Sequence, residues 1–134
     1  MTRVMIFEGN FMIQEFLANI FGSRFPSVEL SAEADGKGAM EKVENFLPDL
    51  VLSGAYAPVD AVDRIAPRPL LLAHGTQDEL IPYGMGEALY ARAKEPKRFH
   101  PIRNGGHLHI PDEAVERAYR AAIVAFFDEA LEVK

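Results

Sequence analysis

Short, wholly apolar runs alternate along this chain with longer stretches whose apolar residues recur at helical spacing. Val4-Met5-Ile6-Phe7, Leu50-Val51-Leu52 and Leu70-Leu71-Leu72-Ala73 are such runs. A strand covered by helices on both faces has no polar side to present, so it reads as a continuous apolar stretch. That pattern restricts the chain to a largely parallel sheet with helical crossovers, because parallel neighbours cannot be joined by a tight hairpin. Val28, Leu30 and Ala32 instead alternate with Glu29, Ser31 and Glu33, as suits a strand nearer a sheet edge.

The intervening stretches supply the helices. Asn10 is placed to cap a helix with the stripe Ile13, Phe16, Leu17, Ile20 and Phe21. Gly36 and Gly38 open a second, with Ala39, Met40, Val43, Phe46 and Leu47 on one side, and Pro48 ends it. Residues 60–65 allow only a short helix before Pro67 and Pro69, and Gly84 to Ala93 form another. Arg98 to Arg103 read as a fifth strand; Pro101 lacks the N–H of a ladder and sends it to an edge. A final helix is expected from Pro111, with Val115, Tyr119, Ala122, Ile123, Phe126 and Phe127 along one face. The expected fold is a single α/β domain over residues 1–134, a three-layer α/β/α sandwich. Its five-stranded parallel sheet takes the flavodoxin-like order 2-1-3-4-5, which puts the second and fifth strands at the edges.

Composition narrows the function classes. The net charge of −6 and the scattered 14 basic residues argue against a nucleic-acid partner. There is no cysteine, which removes disulfides, thiolate metal sites and a thiol nucleophile. No apolar run approaches the ~18 residues of a membrane span, and the first residues lack the layout of a signal peptide. A cytoplasmic chain with no membrane contact, running as a monomer or weak homodimer, is the expectation.

Residues 2 to 52 resemble a response-regulator receiver domain. The resemblance is carried by Arg3-Val4-Met5-Ile6-Phe7-Glu8-Gly9-Asn10, by Ala34-Asp35-Gly36-Lys37-Gly38-Ala39 and by Leu47-Pro48-Asp49-Leu50-Val51-Leu52. It implies two adjacent acids after the first strand to hold Mg²⁺ and a phospho-accepting Asp after the third. Here those positions read Glu8-Gly9 and Gly54. One carboxylate is a poor Mg²⁺ site, so phosphoryl transfer is not expected.

Residues 53 to 134 resemble the C-terminal part of an α/β-hydrolase of the dienelactone-hydrolase and peptidase sort. Pro69-Leu70-Leu71-Leu72-Ala73-His74-Gly75-Thr76-Gln77-Asp78-Glu79-Leu80-Ile81-Pro82-Tyr83 matches the strand and turn of that family's acid, and Asn104-Gly105-Gly106-His107 the turn of its histidine. The resemblance implies that Asp78 orients the imidazole and that His107 takes the proton of a serine. The plainer reading makes Asp78 a turn acid binding backbone amides and His107 a loop residue beside two glycines.

The serine is the missing part: no G-x-S-x-G turn occurs in the chain. In the expected strand order the nucleophile's place falls on Phe7-Glu8-Gly9-Asn10, which has no hydroxyl. Ser53, at the end of the third strand, is the remaining candidate, with a small strand-end residue as its plainer reading. Ser23 and Ser27 belong to the other end of the sheet, and Ser31 lies inside an edge strand. Without a nucleophile elbow and an oxyanion site, a serine near a histidine gains little. His74, His107 and Asp78 near one sheet edge are the only metal set worth weighing, and no metal or cofactor is expected.

Two families meeting in one sheet, each without its full machinery, suggest an engineered chimera joined near residues 48–58, with no evolved catalytic or signalling function. Two alternatives stand beside it. One is a weak esterase using Asp78 and His107, with or without Ser53; the other is a receiver-like interaction module independent of phosphorylation.

Overall fold

The computed structural model describes residues 2–7, 11–23, 28–33, 50–53, 62–107 and 109–130. The strands are β1 (Thr2–Phe7), β2 (Val28–Glu33), β3 (Leu50–Ser53), β4 (Leu70–Gly75) and β5 (Lys97–Ile102). Among the described residues the α-helices are α1 (Phe11–Ser23), α2 (Tyr83–Arg92) and α3 (Glu113–Ala130), with a 3₁₀ turn at Val62–Arg64. The helix expected over residues 36–47 lies outside the described residues, as do Asn10, Glu8, Gly9 and Gly54.

The strands run parallel and are hydrogen-bonded in the order β2-β1-β3-β4-β5. The register fixes what stands beside what. Ser53 pairs with Phe7 on one side and Leu72 on the other, and β5 runs the full length of β4 from Leu70–Lys97 to Gly75–Ile102. The chain therefore has an α/β fold with a parallel sheet and helices, of the kind its apolar runs require.

β4 shows why an unbroken apolar run was needed. Leu71 and Ala73 join α1 (Ile13, Leu17, Ile20) and α3 (Val115, Tyr119, Ile123, Phe126, Phe127) in one buried cluster. Leu70 and Leu72 point the other way, into a second cluster with Val62, Ile65 and Ala93, against which Leu89 and Tyr90 of α2 pack. Successive side chains of a strand face opposite sides, so covering both faces demands apolar residues at every position.

The last helix begins later than the sequence suggests, at Glu113 rather than Pro111. Asp112 Oδ1 accepts the Val115 amide at 2.9 Å, which makes Asp112 the capping residue and leaves Pro111 outside the helix. Ser23 is the last residue of α1 and donates its hydroxyl to Asn19 O at 2.8 Å. Among the described residues no helix is long and apolar enough to cross a membrane.

Candidate functional site

Beyond β4 and β5, two turns lean on each other. Thr76 N donates to Ile102 O (3.1 Å), Gln77 N to Gly105 O (2.9 Å), and Asn104 N to Thr76 Oγ1 (2.8 Å). The contact depends on a missing side chain. A Cβ placed on Gly75 would lie 2.3 Å from Gly105 O and 2.6 Å from Gly106 O, closer than any side chain permits. Asn104 turns the chain out of β5 with φ 58°, a left-handed conformation that asparagine tolerates better than most residues.

This contact brings Asp78 and His107 together. His107 Nδ1 lies 3.1 Å from Asp78 Oδ2, with the two side chains 21% and 5% exposed. The carboxylate's other oxygen, Oδ1, accepts the amides of Leu80 at 2.9 Å and Ile81 at 2.8 Å. Both readings of Asp78 thus hold at once: it is a turn acid through Oδ1 and a histidine partner through Oδ2. Burial works to raise its pKa, but the two amides and His107 outweigh that and hold the carboxyl below its ordinary value of 3.8. A group that stays ionised in a nearly closed site can orient an imidazole and stabilise it once it gains a proton.

Two further contacts were not legible in the motif spacing. Glu79 Oε2 accepts the His107 amide at 3.3 Å, tying the histidine turn to the residue after the acid. His74, buried to 7% exposure, places Nε2 2.8 Å from Ile81 O and 3.5 Å from Asp78 Oδ2. The turn folds back over its own strand, so residues four apart meet without helical spacing to announce it. The shared sheet edge of His74, Asp78 and His107 is legible in the sequence; the hydrogen bond from His74 to Ile81 O is not.

The remaining candidates are Ser53, His100 and His109. Ser53 has its backbone level with Leu72, three residues short of Gly75 along the neighbouring strand. At ~3.3 Å per residue that is a setback of about 10 Å from the strand end where the two turns meet. Its side chain lies outside the described residues. His100 stacks on Tyr119 of α3 (centroids 5.4 Å apart, planes at 9°), away from the turns. His109 is exposed and meets the histidine turn through its carbonyl, which accepts the Gly106 amide at 2.9 Å. Among the described residues no group of three His, Asp or Glu side chains is arranged to hold a metal ion.

No family model matches the chain. Over 81 residues, 60% of its length, it is 37% identical to "Uncharacterized protein YfhR" of Escherichia coli K12. Over 84 residues it is 34% identical to the protein of the same name from Salmonella typhimurium. The chain spans 28% and 29% of the lengths of these relatives. An 81-residue match is longer than the receiver-like segment and so includes part of the hydrolase-like one. The relatives are natural proteins, and nothing in these comparisons points to an engineered origin. Among solved structures, the response regulator domain of Thermotoga maritima CheB superposes with TM-score 0.62 at 18% identity, covering 99% of this chain and 98% of that one. The esterase domain of a Rhodothermus marinus protein superposes with TM-score 0.63 at 12% identity, covering 96% and 86%. Each likeness extends over nearly the whole chain. The fold is therefore one that receiver and esterase domains share, and the chain resembles both.

Proposed function

We propose that this chain is a composite of receiver-like and hydrolase-like segments without an evolved substrate, whose acid–histidine pair supports weak hydrolysis of activated esters. The observation that carries the reading is the 3.1 Å contact between His107 Nδ1 and a carboxylate whose other oxygen is pinned by two amides. With Nδ1–H donated to Asp78, the free Nε2 is the basic nitrogen. It removes a proton from water as the water oxygen bonds to the acyl carbon. The bond from that carbon to the leaving oxygen then breaks, and the imidazolium returns its proton to the leaving group. Asp78 remains ionised throughout and offsets the transient positive charge. General-base help of this kind is worth roughly 10²–10⁴-fold, far less than a nucleophile with an oxyanion site.

On this reading Ser53 takes no part, no cofactor is required, and the chain works as a monomer or weak homodimer in the cytoplasm. The full three-layer, flavodoxin-like architecture belongs to the same proposal. A phosphorylation-independent receiver-like role has only the likeness of fold behind it.

The test is hydrolysis of 4-nitrophenyl acetate by the purified chain and its variants. His107→Ala is expected to bring the rate to the buffer background and Asp78→Asn to the level of free imidazole in solution, while Ser53→Ala leaves it unchanged. A large loss in Ser53→Ala would instead establish a triad. A rate untouched by His107→Ala would leave a scaffold without chemistry.

A further inference from the structure

Asp78 has two histidines against one oxygen, and the proposed chemistry uses only one of them. We propose that His74 is a positioning residue that holds the Asp78 turn so that Oδ2 meets His107; this rests on the acid–histidine reading above. A carbonyl can only accept, so the 2.8 Å contact with Ile81 O puts the proton on His74 Nε2. The same N–H faces Asp78 Oδ2 at 3.5 Å, long for a hydrogen bond but favourable toward a carboxylate. Ile81 is doubly tied, since its amide donates to Asp78 Oδ1 at 2.8 Å while its carbonyl receives from His74. One imidazole on the rigid strand thus clamps both the peptide and the carboxylate of the turn beyond it.

The ring is itself fixed from two sides. Tyr83 meets it edge-on, with centroids 5.9 Å apart and planes at 77°. The backbone of α2 comes so close at Gly86 that a Cβ there would lie 2.5 Å from His74 Nδ1 and 2.8 Å from Cγ. Helix α2, strand β4 and the acid turn therefore meet at this imidazole. A nearly buried carboxylate has about four lone-pair sites to satisfy. Leu80 and Ile81 take those on Oδ1; His107 and His74 flank Oδ2. Removing the His74 N–H leaves Ile81 O without its donor and lets the turn drift from His107.

The experiment compares the parent chain with His74→Phe, which keeps a ring of similar size, and His74→Gln, which restores a donor. Two readouts are taken: the downfield proton NMR signal of the His107 Nδ1–H, and the 4-nitrophenyl acetate rate. In His74→Phe the signal is expected to be lost to solvent exchange and the rate to fall about tenfold. His74→Gln should recover most of both. If His74→Phe does not fold, Gly86→Ala carries the same expectation, because it displaces the ring without deleting it. A His107 signal and rate unchanged in the folded variants, or a loss that His74→Gln does not recover, would overturn the proposal. A parent without esterase activity but with a His74-dependent signal would sink the hydrolytic reading and leave the positioning role standing.

Discussion

Helices α2 and α3 flank the same strand and do opposite jobs. α3 presses Val115, Tyr119, Ile123, Phe126 and Phe127 into one face of the sheet, beside Leu71 and Ala73 of β4. α2 fully buries only Gly86 of its own residues; it adds the partly buried Leu89 and Tyr90 to the second cluster and brings its backbone close to His74. The first helix stabilises by removing apolar area from water, which is roughly proportional and forgiving of small shifts. The second works by proximity, where a few tenths of an ångström matter. Stability and site geometry are carried by different layers of the molecule, and substitutions should separate them.

The largest effect is expected on the α3 side. Phe127→Ala removes a fully buried ring and should lower unfolding free energy by about 3–5 kcal/mol, measured by denaturant titration. The molecules that remain folded should keep the His107–Asp78 contact, because among the described residues its hydrogen bonds lie between residues 74 and 109. Loss of the His107 Nδ1–H signal in the still-folded population would break the comparison.

Gly75→Ala should act in the reverse sense. Its methyl group would collide with the carbonyls of Gly105 and Gly106, so the histidine turn must move away. A stability loss of about 1–3 kcal/mol is expected, smaller than that of Phe127→Ala, yet with the His107–Asp78 contact abolished. A crystal structure of the variant with the 3.1 Å contact intact would refute this.

The smallest effect is a matter of pH. His100, half-buried against Tyr119, has its pKa lowered below 6.5 by that burial. The unfolded chain therefore takes up a proton near 6.5 where the folded chain resists it, and stability falls as pH drops through and below that value. Asp78, held below 3.8, adds a second loss as pH falls beneath 3.8. His100→Phe should flatten the first part of the stability–pH curve and leave the second, as followed by melting temperature between pH 7 and 3.

What the sequence made legible depended on whether a feature was periodic. Leu70 to Ala73 announced a strand covered on both faces, and the stripe of Val115, Tyr119, Ile123, Phe126 and Phe127 announced a helix packed along one face. The pairing of Asp78 with His107 was readable as well, because the residues around each carry a recognisable turn. Contacts made by a chain folding back on itself were not. His74 and Glu79 hold the site through bonds to backbone atoms, and such bonds leave no pattern of residue types along the chain. The start of α3 is ambiguous in the sequence for a related reason: Pro111 and Asp112 can each occupy a helix entrance, and only the hydrogen bond to Val115 N decides between them.

The way the two turns are braced has a consequence for inheritance. Among the described residues, the hydrogen-bond partners that hold Asp78 and His107 come from the contiguous stretch between His74 and His109. Such a stretch is a cassette: any parallel sheet able to accept β4 and β5 side by side receives the acid and the imidazole already aligned. On the composite reading proposed above, an assembled pair is no record of selection for catalysis in its present host. On that reading it travels as cargo, and a nucleophile supplied by the recipient sheet would complete a triad.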